Sequence, residues 1–242
     1  MLDIKHALQQ CANQQAIYNN ENDFENTLVS ILGEQGYNPQ RQQRYNCNEL
    51  SNNEEIIADI ICSTNGSKIA LELKYVFLRD GQPGDPPAFS YDILKDCVKC
   101  EYLIRKEQVH HAYVIGLTNL ERIWTGRGPR GWSREYGEEI SKRNSDVITG
   151  FIKTHGRDTN RAIFRQRRYS LFLEYQWSFS WHDFSSADIE DGNGKTRAIV
   201  LSPNLGAKRT ERSFGDYESC AVIPFLNSND REEARQRREQ MR

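Results

Sequence analysis

Apolar residues in the first part of the chain recur at helical spacing and then switch to alternation, and the switch divides the chain into elements. Leu2, Ala7, Leu8, Cys11 and Ala12 form a weak stripe, predicting a first helix that ends before Asn19-Asn20. Phe24, Leu28, Ile31 and Leu32 follow the i, i+4, i+7, i+8 rule, predicting a second helix from near Asn22 that Gly33 or Gly36 closes. Tyr37 to Cys47, rich in Gln and Arg, reads as an edge-like strand. From Ile56 to Val76 two apolar runs flank Asn65-Gly66, the pattern of a tight hairpin whose primed turn needs positive φ. Gly81, Pro83, Gly84, Pro86 and Pro87 make Arg79 to Ser90 a loop by composition. A helix is predicted over Tyr91 to Gln108, with Leu94, Cys97, Val98 and Glu101 on one side and Ile93, Cys100 and Ile104 overlapping it. Ala112 to Thr118 is a compact apolar run suited to a buried strand.

The second half is less regular. Asn119 to Trp132 reads as a loop, and Arg134 to Val147 as a weakly patterned helix. From Tyr169 to Trp181 the odd positions are all large and apolar or aromatic, predicting a long half-buried strand. That row suits a core, although aromatics beside arginines also suit base stacking. His182-Asp183 has no serine or cysteine partner in a recognisable order and is assigned no chemistry. Asp188 to Gly194 reads as a turn, Arg197 to Leu201 as a short strand, and Arg231 to Arg242 as a charged tail, frayed or disordered.

The hairpin carries the candidate chemistry. If Asn65 and Gly66 are the two loop residues, Thr64 faces Ser67, Asp59 faces Glu72 and Ile57 faces Lys74. Side chains alternate along a strand, so Asp59, Glu72 and Lys74 fall on one face. Like charges directly opposed are destabilising, which points to a cation between the two carboxylates. Oxygen ligands favour Mg²⁺, with Mn²⁺ as a substitute. The plainer alternative is a surface hairpin in which Lys74 makes an ordinary cross-strand ion pair.

Ala58-Asp59 followed by Glu72-Leu73-Lys74 on adjoining strands resembles the signature of the PD-(D/E)XK nuclease superfamily, with Ala58 in place of the usual proline. The resemblance covers roughly the first half of the chain. It implies an α/β fold with a restriction-endonuclease-like core: helix, three-stranded meander, helix, strand, in a mixed central sheet flanked by helices. It implies Asp59, Glu72 and Lys74 as catalytic residues, and Asp59, Glu72 and the Leu73 carbonyl as metal ligands. A helix glutamate often completes such a site, and Glu25 matches that placement. Asn22-x-x-Glu25 also reads as a capping box. Basic residues of the following helix often face the scissile phosphate, which makes Lys95 a candidate, together with Lys99 one turn on.

Composition and charge refine this picture. The chain has 242 residues and a net charge of −2, so it is no simple basic DNA-coating protein. Charge is unevenly spread: residues 1–60 carry a balance of −6 and residues 122–168 one of +7. Arg161, Arg165, Arg167 and Arg168 are dense enough for phosphate contact, though a plain solvated surface fits equally. Residues 1–118 are expected to form the nuclease core, and 119–242 a basic, aromatic, β-rich extension completing the same domain. Cys97-x-x-Cys100 is half of a zinc pattern with no second half. No apolar run approaches the ~18 residues of a membrane span, and the polar N-terminus predicts no secretion signal, so the expected location is the cytoplasm. The expectation is a Mg²⁺-dependent DNA endonuclease of prokaryotic restriction or phage-defence type, a kind that often works as a homodimer on a two-fold DNA site. A repair or recombination nuclease, an inactive nucleic-acid-binding module and an ordinary α/β domain are the alternatives.

Overall fold

The computed structural model describes residues 2–47, 54–64, 66–79, 82–83, 86–125, 147–152, 171–185 and 195–210. Two helices lead: α1 (Ile4–Gln14) and α2 (Glu21–Glu34). Asp3 caps the first by accepting from His6 N at 3.0 Å, and Asn20 caps the second by accepting from Asp23 N at 2.9 Å. Helix α2 thus begins one residue before Asn22, and Asn20 rather than Asn22 is the cap.

Strands β1 (Asn38–Cys47), β2 (Glu54–Thr64) and β3 (Ser67–Val76) follow as an antiparallel meander. Thr64 pairs with Ser67, and Gly66 takes φ +82° in the turn between them. Two short strands, β4 (Leu78–Arg79) and β5 (Gln82–Pro83), pair within the stretch predicted as loop. Helix α3 (Pro86–Arg105) starts five residues earlier than the pattern predicts. Prolines are tolerated in a first helical turn, where the N–H would have no partner anyway, so Pro86-Pro87 opens the helix instead of preceding it. Strand β6 (His111–Thr118) then runs parallel to β3. The order helix, three strands, helix, strand is therefore present, with the β4–β5 pair inserted.

A short helix α4 (Glu121–Thr125) interrupts the next predicted loop. Strands β7 (Val147–Ile152), β8 (Leu171–Ser185) and β9 (Thr196–Asn204) extend the same sheet, giving the order β1-β2-β3-β6-β9-β8-β7. The result is an α/β fold built on a mixed seven-stranded sheet with helices on both faces. Strand β1, with Pro39 and its Gln/Arg run, lies at one edge, where a missing N–H costs no ladder bond. The predicted helix over 134–147, the turn at 188–194 and the tail at 231–242 fall outside the described residues, Val147 excepted.

Each face of the sheet has its own core. One side packs Ala112, Val114 and Ile199 against α3 residues Ile93, Leu94, Cys97 and Cys100; the other packs Tyr113, Ile115 and Val200 with Phe24, Leu28 and Leu8 of α1 and α2. The alternating row of β8 is core: Leu171, Leu173, Tyr175, Trp177 and Phe179 are buried on the α3 side. Helix α3 approaches β6 closely at Gly116, where a Cβ would stand 2.6 Å from Phe89 Cζ and 2.8 Å from Ile199 Cγ2. Among the described residues, no helix is long and apolar enough to cross a membrane.

Glu101, on the last turns of α3, ties that helix to β8. Its carboxylate accepts from Glu174 N and Tyr175 N, each at 2.9 Å, and from Trp177 Nε1 at 2.8 Å. Burial pushes its pKa up to about 7, against the pull of those donors. A carboxyl whose folded pKa lies above its unfolded value binds its proton more tightly when folded. Its contribution is complete below the unfolded value near 4.5 and is lost as pH rises through 7, a loss of roughly 3 kcal/mol. Glu101→Gln should remove that much of the decline in unfolding free energy between pH 5 and 8, measured by urea titration. Parallel pH profiles for wild type and variant would contradict it.

Candidate active site

Asp59, Glu72 and Lys74 are brought together, though not by direct pairing of the two acids. The β2–β3 ladder runs from Thr64↔Ser67 to Ile60↔Leu71 and stops there. Beyond that point the strands part, and alternation on β2 breaks at Asp59. Ala58 packs with the α3-side core and Ile60 with the opposite one. Gln42, at φ +50°, sits between the pairs Arg41↔Ile60 and Gln43↔Ala58 and marks the same irregularity on β1.

The parting leaves backbone groups of β3 without strand partners, and side chains take them. Leu73 N donates to Asp59 Oδ2 at 2.8 Å. Tyr75 N donates to Glu21 Oε2 at 3.0 Å, from the first residue of α2. Leu73 O accepts from the Lys74 ammonium at 2.7 Å. Buried backbone groups must find partners, so the opening in the sheet selects a carboxylate for each free N–H and a cation for the free carbonyl.

Helix α3 closes the cluster from one side. Asp96 Oδ2 lies 2.7 Å from Lys74 Nζ, and Asp96 Oδ1 lies 3.7 Å from Lys99 Nζ. Lys99 also donates to Ile57 O at 3.0 Å and forms an ion pair with Glu72 Oε2. Glu72 is fully buried at 0% exposure, and its Oε1 meets no hydrogen-bond donor among the described residues. Burial holds the Glu72 carboxyl well above the usual carboxylate range; Lys99 opposes this while Asp59 and Asp96 add to it. Burial also raises Glu21, with Lys74 pulling the other way. For Asp96 burial is outweighed by Lys74 and Lys99, and its pKa is lowered. Burial disfavours the Lys74 ammonium, yet Asp96, Asp59, Glu72 and Glu21 together hold it above the usual lysine range. Lys99 is likewise raised, Glu72 and Asp96 prevailing over burial.

Two residues assigned to the site from sequence have other partners. Glu25 is neither an N-terminal cap nor directed at this cluster. It accepts from Arg41 Nε at 2.7 Å, while the same guanidinium reaches Asn22 Oδ1 at 2.6 Å and Asn26 Oδ1, clamping α2 to β1. The α2 glutamate that faces the cluster is Glu21, one turn earlier. Lys99, expected to contact nucleic acid, is buried within the cluster. Lys95 stands 3.8 Å from Asp92 on its own helix. Arg161, Arg165, Arg167 and Arg168 lie outside the described residues. Asp183 pairs with Arg197 at 3.1 Å and His182 Nε2 lies 2.6 Å from Ser180 Oγ; both residues line a separate cavity of about 310 Å³ beside Lys5 of α1. Cys97 and Cys100 are buried in the core, where burial pushes both thiols up.

In chemical kind the donors fit a hard divalent cation. Glu21, Asp59, Glu72 and Asp96 surround Lys74, and with Lys99 as the second ammonium the ionised set carries two negative charges in excess. In placement they are engaged elsewhere: an ammonium faces Glu72 Oε2 and another holds the Leu73 carbonyl. Among the described residues no three His, Cys, Asp or Glu side chains converge as a ready-made metal group. No family model, no curated protein and no solved structure matches this chain.

Asp96 and Glu21 went unassigned from sequence. The available signal was on α3, whose buried stretch from Asp96 to Leu103 includes three charged residues, Asp96, Lys99 and Glu101. Charged residues are rarely buried unless paired. Asp96 lies between the two ammonium groups, 2.7 Å from Lys74 Nζ and 3.7 Å from Lys99 Nζ, so Asp96→Asn should lower the unfolding free energy by about 3 kcal/mol, as breaking a buried pair typically does. Urea denaturation at neutral pH measures this, and a loss below about 1 kcal/mol would show the pairs to be weak.

Proposed function

We propose that the chain is a metal-dependent nuclease that hydrolyses DNA phosphodiester bonds, with its active site where β2 and β3 part. The observation that carries the reading is the convergence of Asp59, Glu72 and Lys74 at that opening, with the Leu73 carbonyl beside them. The element order and the parallel β3–β6 pair support a restriction-endonuclease-like core. In this reading Asp59, Glu72 and the Leu73 carbonyl hold Mg²⁺ or Mn²⁺, and Glu21 takes the place first given to Glu25. A bound divalent ion supplies charge relief on the phosphate and a water of lowered pKa.

The residues of the chain do the rest. Lys74 stays protonated, so it offsets negative charge developing on the phosphate and orients the attacking water by donation; it does not accept the proton. Lys95, half-buried on α3, together with Arg161, Arg165, Arg167 and Arg168, is assigned to the DNA backbone. A restriction or phage-defence role, in the cytoplasm of a prokaryote and as a homodimer on a two-fold site, is the form of the proposal we favour over repair or recombination.

One observation favours a second reading. Lys99 already sits on Glu72 Oε2 and Lys74 on the Leu73 carbonyl, two of the oxygens assigned to the metal, as in a nucleic-acid-binding module that keeps the fold without the reaction. Incubation with supercoiled plasmid separates the two. The nuclease nicks or linearises it with Mg²⁺ and not with EDTA, and Asp59→Asn, Glu72→Gln or Lys74→Met each lowers the rate at least about a hundredfold. Undiminished cleavage in all three variants would remove the mechanism, and metal-independent DNA binding without cleavage would favour the module.

A further inference from the structure

Lys99 is the least expected member of the cluster. It is nine-tenths buried, on a helix that otherwise faces the core, and its ammonium touches three elements at once. From α3 it reaches the β2 carbonyl of Ile57 at 3.0 Å and the β3 carboxylate of Glu72, and it stays 3.7 Å from Asp96 on its own helix. Lys74 and Asp96 continue the chain, so charges alternate Lys74, Asp96, Lys99, Glu72 through the interior. A carboxylate as buried as Glu72 needs a counter-charge in every state of the protein.

We infer that Lys99 is a resident counter-ion that holds the Glu72 carboxylate in the metal-free protein and must withdraw when a divalent cation enters. The inference rests on the reading of this cluster as a metal site. An ammonium and a divalent ion on the same carboxylate repel, so entry of one requires a shift of the other. The ammonium has somewhere to go, because Ile57 O at 3.0 Å and Asp96 Oδ1 at 3.7 Å are already within reach. Two consequences follow. The centre keeps its shape without metal, and metal affinity is held below what the oxygen donors alone would give.

Isothermal titration of Mn²⁺ into the intact chain, with wild type, Lys99→Gln and Lys99→Arg, tests this without reference to cleavage. Lys99→Gln keeps a donor for Ile57 O and Glu72 while removing the charge, so it should bind Mn²⁺ at least about tenfold more tightly than wild type. Lys99→Arg, which keeps the charge, should stay within about threefold of wild type. In wild type, saturating Mg²⁺ should also shift the Nζ resonance of Lys99 in ¹⁵N NMR, a readout that does not depend on any variant folding. Equal Mn²⁺ affinity in wild type and Lys99→Gln, or an unmoved Lys99 resonance in metal-saturated protein, would overturn the counter-ion role and leave the metal site standing. Absence of Mn²⁺ binding in all three proteins would overturn both.

Discussion

Everything proposed for this protein depends on one local failure of β-pairing. Strands β2 and β3 are hydrogen-bonded from their turn to Ile60↔Leu71 and then separate in a part-buried region, where an unpaired backbone group is costly. The amide of Leu73, the amide of Tyr75 and the carbonyl of Leu73 must be satisfied by side chains, and Asp59, Glu21 and Lys74 supply the matching charges. A sheet that stayed paired would have no use for those groups. The opening therefore accounts for the cluster of charge inside a fold whose two faces are mainly apolar.

The same constraint explains how α3 participates. A buried Glu72 beside Asp59 is untenable without cations nearby, and Lys99 and Lys74 arrive with Asp96 shared between them. Helix α3 is held in register by Gly116, which lets it settle on β6, and by Glu101, which anchors its end to β8. The long C-terminal strands are thus part of the framework that positions the cluster.

Much of this was legible in the sequence. The Asn65-Gly66 turn set the hairpin register, period-two patterning found β8, a compact apolar run found β6, and helical spacing found α2 and most of α3. What escaped was governed by tertiary context. Counting register from the turn placed Asp59 opposite Glu72, whereas the ladder ends one pair short and Asp59 turns to the Leu73 amide. Glu21 and Glu25 lie one turn apart on α2, and nothing local reveals that Arg41, distant in sequence, captures the second. Lys99 was placed with Lys95 on a phosphate-facing side because sequence shows its neighbours along the helix and not the buried carboxylate across from it. Pro86-Pro87 read as loop because proline both breaks helices and begins them.

The central claim is that Asp59 and Glu72 converge on a position able to hold a divalent ion. Anomalous diffraction from crystals of the protein grown with Mn²⁺ addresses it directly. The account expects an anomalous peak in contact with both carboxylates, with the Lys99 ammonium moved off Glu72. A map with no peak there at saturating Mn²⁺, and Lys99 still seated on Glu72, would contradict it.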